Sequence, residues 1–290
     1  MSLKFARFGA PGAEEPVVIV DDADGHAQYF SLLPLTRDID SAFLAGDFVA
    51  ATQAALDAGE LPRLVPAGRV GAPVARPANV VGIGLNYAAH AAESGLEPPA
   101  SPVVFLKPSN SVAGPYDEFP GLPGSRKLDW EVELGLVIGR HAHLLADEQE
   151  AQAAIAGYVL ANDLSERELQ LGGAGGQWTK GKSLPGSTPL GPWLVPAVAP
   201  DGTHFDVDSL PLSTRVNGVE CQRSTTADMV FRAAHLVHHV SQFMALEPGD
   251  VIITGTPEGV AMSGRFEYLK SGDVVEIEAP GLGAQRIVCA

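Results

Sequence analysis

The chain has 290 residues and 46% of them are apolar, which is enough for one large domain with a smaller one beside it. Lys and Arg number 19 against 35 Asp and Glu, so the formal net charge is −16. A surface this acidic repels nucleic-acid phosphates and anionic lipid, which argues against nucleic-acid and membrane-surface partners.

The first 72 residues are predicted to form a small α+β domain. Apolar patterning predicts a strand at residues 17–20, a helix at 48–58, and a strand and turn at 64–74. A segment with two prolines at residues 72–79 is typical of a linker. The predicted domains are therefore residues 1–72 and residues 73–290.

The second domain is predicted to be built from short strands. Glycines (32) and prolines (23) are spread along the chain, and no βαβα rhythm is present, which disfavours a doubly wound sheet. Helices are expected at residues 147–156 and 227–245. The fold class predicted is α+β and mainly β, with peripheral helices. The predicted strands cover residues 80–83, 103–107, 131–138, 157–162, 212–216, 250–254 and 273–278.

Three carboxylates form the first candidate site. Glu131 and Glu133 lie two residues apart on a predicted strand, so their side chains share one face. Alone, this pair is more typical of a solvated strand face. The strand continues into an apolar run, however, and a second apolar run ends at Asp163, where buried carboxylates without a partner are costly. Three oxygen ligands without cysteine favour Mg²⁺ or Mn²⁺ over zinc.

A His-x-x-Glu pair forms the second candidate site. His90 and Glu93 are three residues apart in an Ala-rich segment that is predicted to be helical, so they share a face. A carboxylate beside an imidazole fixes its tautomer, which suits a general base acting on water. The alternative is an ion pair on the surface of a helix.

Residues 176–183 match the G-x-x-x-x-G-K-[ST] pattern of a phosphate-binding P-loop. That pattern needs a strand before it and a helix after it. Residues 171–175 are glycine-rich rather than strand-like, and Pro185 and Pro189 follow, which forbids the helix. Nucleotide binding remains only as a remote alternative from a different functional class.

The order of the motifs resembles the fumarylacetoacetate hydrolase superfamily, over about residues 75–290. The resemblance is closest to the bacterial acylpyruvase-like and diketo-sugar-acid hydrolases. It implies the C-terminal catalytic fold of that superfamily, a mixed β-sandwich or β-roll, preceded by a small N-terminal domain. The motifs are Gly-Leu-Asn-Tyr-x-x-His-x-x-Glu (84–93), Glu-x-Glu (131–133), Asn-Asp-x-Ser-x-Arg (162–167), Gln-Trp-x-x-Gly-Lys-Ser (177–183) and Thr-Gly-Thr-Pro (254–257).

The resemblance implies a role for each matching residue. Lys182 would stabilise a developing enolate or oxyanion, with a solvated loop lysine as the alternative. Glu131, Glu133 and Asp163 would bind Mg²⁺ or Mn²⁺, and His90 with Glu93 would activate water. Arg167, Gln170 and Thr256 would contact the substrate, and Tyr87 and Asn86 are weaker candidates for lining the pocket. For Arg167, an ion pair with Glu166 or Glu168 is the alternative.

Ile83 departs from the pattern of the fumarylacetoacetate hydrolases proper, which carry a further acidic metal ligand seven residues before the catalytic histidine. Three protein carboxylates rather than four are therefore expected, and fumarylacetoacetate itself is disfavoured as the substrate.

The resemblance implies hydrolysis of a carbon–carbon bond in a small anionic 2,4-dioxo acid. The same groups suit oxo-acid decarboxylases, isomerases, hydratases and lyases, which sequence does not separate. The resemblance also implies a homodimer. Two cysteines without a disulfide framework, and a start without an apolar leader, are typical of a cytoplasmic protein.

Overall fold

A computed structural model describes residues 2–172 and 176–290 of the chain. Its N-terminal part is an antiparallel sheet in the order β4-β3-β2-β1-β5 with two helices. The apolar run of the second strand is buried on both faces, and Asp47 begins the longer helix by accepting a hydrogen bond from Ala50 N–H. The elements are β1 (Leu3–Phe8), β2 (Glu15–Asp21), β3 (Ala27–Ser31), α1 (Ser41–Ala45), α2 (Phe48–Asp57), β4 (Arg63–Leu64) and β5 (Val70–Gly71).

A second sheet carries the candidate site. Its strand order is β14-β11-β10-β17-β6-β7, and the pairs are antiparallel except for the parallel pair β17–β6. All seven residues of its strand β10 are buried, because the sheet is covered on both faces. The strands are β6 (Val80–Gly84), β7 (Val103–Lys107), β10 (Val132–Ile138), β11 (Ile155–Asn162), β14 (Val195–Pro196) and β17 (Val251–Ile253).

A third sheet, antiparallel in the order β16-β15-β18-β19, contributes to the core on one side of the second sheet. Leu212 and Ile277 from the third sheet belong to the same buried cluster as Leu134 and Leu160 from the second. This sheet-on-sheet arrangement is the predicted sandwich. The strands of the third sheet are β15 (Pro211–Val216), β16 (Val219–Thr225), β18 (Val274–Ala279) and β19 (Gly283–Val288).

Short strand pairs and helices complete the described residues. Strand β8 (Val112–Ala113) pairs in parallel with β13 (Thr188–Pro189), and β9 (Leu128–Asp129) pairs with β12 (Ser165–Glu166). The remaining helices are α3 (Ala88–Glu93), α4 (Glu148–Ala154), α5 (Arg167–Leu171), α6 (Trp178–Gly181) and α7 (Ala233–Ser241), with 3-10 turns at Ser109–Ser111, Thr226–Asp228 and Ala261–Ser263.

The predicted fold class, α+β and mainly β, is confirmed. The predicted domain division at residue 72 stays a prediction. Phe5 from the N-terminal sheet belongs to the same buried cluster as Val159 and Ile253 from the second sheet, so the two parts share apolar core. In the part of the chain that the structure describes, no helix has the length and hydropathy needed to cross a lipid bilayer.

The predicted helix at residues 227–245 is wrong in its extent, because α7 begins at Ala233 and ends at Ser241. Asn86, far away in sequence, holds the preceding segment in an extended form. Its side chain accepts a hydrogen bond from Phe231 N–H (2.8 Å) and donates to Phe231 O (3.1 Å), while its carbonyl accepts from Val230 N–H (2.8 Å). Tertiary hydrogen bonds override the helical spacing here.

Candidate active site

Two neighbouring strands position the three predicted metal ligands. Val132 pairs with Asn162 across β10 and β11, and Asp163 N–H donates to Glu131 O at 2.9 Å. This register brings Glu131, Glu133 and Asp163 together: each is buried, and one carboxylate oxygen from each lies within 4.8 Å of the others. The sequence prediction of this grouping therefore corresponds to a real cluster, while metal ligation itself stays a prediction.

Three basic side chains surround two of these carboxylates. Lys182 Nζ lies 2.6 Å from both Glu131 Oε2 and Asp163 Oδ2. Lys107 Nζ lies 2.5 Å from Asp163 Oδ1, and Arg167 Nη2 lies 2.7 Å from Glu131 Oε1. Lys182 is therefore a buried counter-ion between two predicted metal ligands, and the alternative of a solvated loop lysine is wrong.

Glu133 lacks such a partner. In residues 2–172 and 176–290, no basic nitrogen lies within ion-pair distance of its carboxylate, which accepts a hydrogen bond from Gly255 N–H at 2.7 Å. Burial, and then the nearby Asp163 and Glu131, raise the pKa of Glu133 well above its usual range. Burial acts in the same direction on Glu131, but Lys182 and Arg167 outweigh it and lower its pKa.

The donor set fits a divalent cation. The three oxygens are hard ligands, and one of the carboxylates, Glu133, has no basic side chain of the described residues within ion-pair distance to stabilise its ionised form. A divalent cation held by Glu131, Glu133 and Asp163 would supply that missing charge. Ile83 lines the same cavity and offers no ligand atom, which agrees with three protein carboxylates rather than four.

His90 and Glu93 form a hydrogen-bonded pair on α3. His90 Nδ1 lies 2.9 Å from Glu93 Oε1, and Glu93 also accepts hydrogen bonds from Gly259 N–H (3.0 Å) and Arg265 Nη2 (2.6 Å). Burial alone would raise the pKa of Glu93, but these three donors outweigh it and hold the pKa below its usual value. Because Glu93 is then ionised, Nδ1 carries the proton, and Nε2 is the ring atom left to accept one.

A cavity of about 300 Å³ connects these groups. Most of the predicted catalytic and substrate-binding residues line it. Asp163 is not in the lining, but it accepts a hydrogen bond from the ammonium group of Lys182, which is. Eight residues of the predicted site are in the lining: His90, Glu93, Glu131, Glu133, Arg167, Gln170, Lys182 and Thr256.

Arg167 is fixed from two sides. Its Nε donates to Asp129 Oδ2 (2.8 Å) and its Nη1 donates to Gln170 Oε1 (2.8 Å). The alternative of an ion pair with Glu166 or Glu168 is wrong, since the partners are Asp129 and Glu131. Nη2 lies 2.7 Å from Glu131 Oε1 but without hydrogen-bond geometry, so the charge of this guanidinium is paired while one of its N–H groups in the cavity wall is not hydrogen-bonded.

Thr256 follows β17 in a loop held by the third sheet. Its hydroxyl donates to Val132 O (2.9 Å) and accepts from Gln222 Nε2 (2.8 Å). Gln222 is fully buried, and its own carbonyl oxygen accepts from Thr214 (2.7 Å). The Thr256 hydroxyl is therefore held in a single orientation beside the carboxylates.

Tyr87 and Asn86 lie behind the cavity wall. Tyr87 is fully buried and is not among the residues that line the cavity; its hydroxyl has no hydrogen-bond partner within the described part of the chain. Substrate contact by Tyr87 stays a prediction. Asn86 ties β6 to the segment before α7, as described above, and this is a structural role.

The P-loop alternative does not fit the structure. After Lys182 the chain forms turns and then β13, with no helix, and Lys182 is buried among carboxylates rather than open to a phosphate. Residues 173–175, part of the glycine-rich stretch before it, lie outside the described residues. The neighbouring Lys180 is exposed.

Sequence reasoning missed three residues around the site. Lys107 ends a predicted strand without any motif, and its ammonium also donates to Ser187 O at 3.1 Å. Gln222 belongs to no motif and no sequence pattern that would indicate a site residue. Asp129 did leave one, because it precedes Glu131 by two residues and extends the alternation of acidic side chains.

A comparison with protein families decides the assignment. Residues 79–288 match the model of the fumarylacetoacetate (FAA) hydrolase C-terminal domain. The chain belongs to the fumarylacetoacetate hydrolase family. The family resemblance read from the ordered motifs is thereby confirmed.

Relatives with assigned names lie in the same family. A putative hydrolase of Burkholderia multivorans is 43% identical over 98% of this chain and 97% of its own length. A 2,4-didehydro-3-deoxy-L-rhamnonate hydrolase of Sphingomonas sp. is 42% identical over 98% of this chain and 95% of its own.

Solved structures of the family superpose on the whole chain. A fumarylacetoacetate hydrolase from Exiguobacterium antarcticum gives a TM-score of 0.80 at 32% identity and covers 99% of both chains. A probable 2-hydroxyhepta-2,4-diene-1,7-dioate isomerase from Mycobacterium abscessus gives 0.79 at 32% identity, covering 100% of this chain and 98% of its own.

Proposed function

We propose that this hydrolase-family protein cleaves a carbon–carbon bond of a small 2,4-dioxo acid with the help of Mg²⁺ or Mn²⁺. One observation carries the proposal: three buried carboxylates, one of them without a counter-ion, share a cavity with an oriented His90–Glu93 pair. The Sphingomonas relative, named a 2,4-didehydro-3-deoxy-L-rhamnonate hydrolase, supports this class of substrate.

A divalent ion held by Glu131, Glu133 and Asp163 would polarise the oxygens of the 2-oxo acid and offset their negative charge. The other roles belong to the protein's own side chains. Arg167 and Thr256 line the same cavity as the carboxylates, and Arg167 Nη2 and the Thr256 loop would orient the substrate carboxylate.

His90 is the general base in this proposal. Its Nε2 takes one proton from a water molecule while the water oxygen bonds to the C4 carbonyl carbon. The C3–C4 bond then breaks, C3 takes up a proton, and the products are pyruvate and a carboxylic acid. Glu93 keeps Nδ1 protonated and stabilises the imidazolium, while Lys182 offsets charge on the reacting oxygens.

Isomerisation is the second candidate, because the M. abscessus structure that superposes on this chain is named an isomerase. Isomerisation moves a proton between carbons and needs no water attack. The His90–Glu93 pair supplies a base for either reaction, and the higher identity to the Sphingomonas hydrolase (42%) than to this isomerase (32%) favours hydrolysis.

A substrate screen tests the proposal. Acylpyruvates, oxaloacetate and 2,4-dioxo-3-deoxy sugar acids are incubated with the protein and Mg²⁺, and the products are identified by mass spectrometry. We expect pyruvate or its equivalent from the dioxo acids. Isomerised product without cleavage, or release of CO₂ from oxaloacetate alone, would contradict the hydrolase assignment.

His90→Ala tests the base. We expect hydrolysis to fall by about 10²–10⁴-fold, the usual contribution of a general base, while binding of an oxalate-like inhibitor is retained. Unchanged hydrolysis would exclude His90. From the family resemblance we also propose a homodimer in the cytoplasm, which gel filtration with light scattering and cell fractionation test.

A further inference from the structure

Trp178 and Phe105 form an aromatic wall in the cavity, and two glycines of β6 make room for it. An ideal Cβ placed on Gly84 would lie 2.1 Å from the Trp178 ring, and one placed on Gly82 would lie 2.2 Å from the Phe105 ring. The two rings contact each other in a tilted arrangement, with centroids 5.8 Å apart. Strand β6 is therefore glycine-rich because aromatic side chains lie directly against its backbone.

This aromatic wall adjoins the polar floor of the cavity, which consists of the carboxylate cluster with Lys182 and Arg167. The Lys182 ammonium lies 5.2 Å from the centroid of the Phe105 ring, so the wall begins where the carboxylate cluster ends. Trp178 belongs to α6, the same short helix that leads into Lys182. The wall and the polar floor are thus built from adjacent stretches of chain.

Further apolar side chains extend the wall. Leu85 and Met262 also line the cavity, and Leu96 and Leu171, which are 50% and 52% exposed, lie at its mouth. Among the described lining residues, the basic side chains are His90, Arg167 and Lys182, and each is already paired with a carboxylate. A second carboxylate on the substrate would find no free cation here, and burying it against this wall would be costly.

We propose that Trp178 determines specificity by selecting substrates whose C4 carbonyl carries a compact, uncharged group. The inference rests on the proposed function for the placement of the 2-oxo acid at the polar floor. It adds that the opposite end of the substrate lies against Trp178, and that this end has no second carboxylate.

A matched pair of substrates tests the charge rule. 4-Methylpentanoylpyruvate and succinylpyruvate have nearly the same shape, but the first ends in an isopropyl group and the second in a carboxylate. We expect kcat/KM for the neutral substrate to be higher by about 10²-fold or more. Equal or preferred turnover of succinylpyruvate would overturn the proposal.

Three variants test the wall itself. Trp178→Ala should improve kcat/KM for acyl groups longer than acetyl by about 10-fold relative to acetylpyruvate. Gly84→Ala should push the Trp178 ring into the cavity. It should therefore lower kcat/KM for the longer acyl groups, mainly by raising KM. The double variant Gly84→Ala/Trp178→Ala removes the clash, so its chain-length profile should match that of Trp178→Ala. A folded Trp178→Ala protein with the wild-type profile would overturn the proposal.

A binding measurement separates this inference from the proposed function. Calorimetry with the same two acylpyruvates on His90→Ala protein loaded with Mg²⁺ reports selection without turnover. If the neutral ligand binds more tightly but wild-type protein hydrolyses neither, the hydrolase proposal fails and the specificity proposal stands. If hydrolysis occurs but both ligands bind equally, only the specificity proposal fails, and if neither ligand binds, both fail.

Discussion

Glu14, just before strand β2 of the N-terminal sheet, and Glu131 in the active site occupy similar electrostatic positions, but their surroundings differ. Glu14 lies between two guanidinium groups, 3.1 Å from Arg7 Nη2 and 2.8 Å from Arg69 Nη1. Glu131 lies between Lys182 and Arg167, at 2.6 and 2.7 Å. Both side chains are buried to a similar degree.

The difference lies in the next carboxylate along each network. Around Glu14, the outer carboxylates Asp38 and Asp117 each bind an arginine through two hydrogen bonds, so every carboxylate has an arginine partner. Around Glu131, the neighbouring Glu133 has no basic partner within the described chain, and its pKa is raised. A network that serves only folding pairs its charges, whereas one that leaves a buried carboxylate unpaired sacrifices stability for binding.

Metal removal gives the largest effect that distinguishes the two networks. We expect dialysis against a chelator to abolish hydrolysis of a 2,4-dioxo acid, and Mg²⁺ or Mn²⁺ to restore it, because Glu133 and its neighbours need a divalent counter-ion. The arginine network needs none, so circular dichroism should show the fold retained. Full turnover in excess chelator would contradict the metal proposal.

Glu131→Gln and Glu14→Gln are a matched pair. Glu131→Gln removes a predicted ligand, so metal affinity measured by calorimetry should fall by at least about 10²-fold while the protein stays folded. Glu14→Gln weakens two arginine contacts, so it should lower the free energy of unfolding by about 1.5–3 kcal/mol and leave metal affinity unchanged. If Glu14→Gln also weakens metal binding, or if Glu131→Gln leaves metal affinity unchanged, the distinction between the two networks is wrong.

In metal-free protein, Glu133→Gln should change the free energy of unfolding in the opposite direction to Glu14→Gln. Removing a buried carboxylate that has no counter-ion should raise the free energy of unfolding by about 1–3 kcal/mol. In wild-type protein, added Mg²⁺ should raise the melting temperature, and in the variant it should not. Thermal denaturation with chelator and with Mg²⁺ measures both, and a destabilised metal-free variant would show that Glu133 is already satisfied.

The pH dependence of the Glu14 contribution is the smallest expected effect. Burial alone would raise the pKa of Glu14, but Arg7, Arg69 and backbone N–H groups outweigh it and hold the pKa below 4.5. The stability difference between wild type and Glu14→Gln should therefore be complete above pH 4.5 and disappear as the pH falls through the lowered pKa. Urea denaturation across this range measures it, and a difference that grows on acidification would contradict the assignment.

The sequence predicted the carboxylate cluster because its signals are local. Glu131 and Glu133 show strand alternation, and Asp163 ends the apolar run of the neighbouring strand. The contacts of Lys107 with Asp163 and of Asn86 with Phe231 join residues 56 and 145 positions apart. Nothing in the local pattern encodes such pairs, so the counter-ions of the site and the true start of α7 needed the structure.

The place of Lys182 has a consequence for ion selectivity. Its ammonium group is tethered between Glu131 Oε2 and Asp163 Oδ2, so it competes with any ion from solution at a high effective concentration. A dissolved monovalent cation offers these oxygens no more charge than the tethered one already does. We therefore expect sodium and potassium to bind poorly here, and a divalent ion held by these carboxylates would have to displace the Lys182 ammonium group from them.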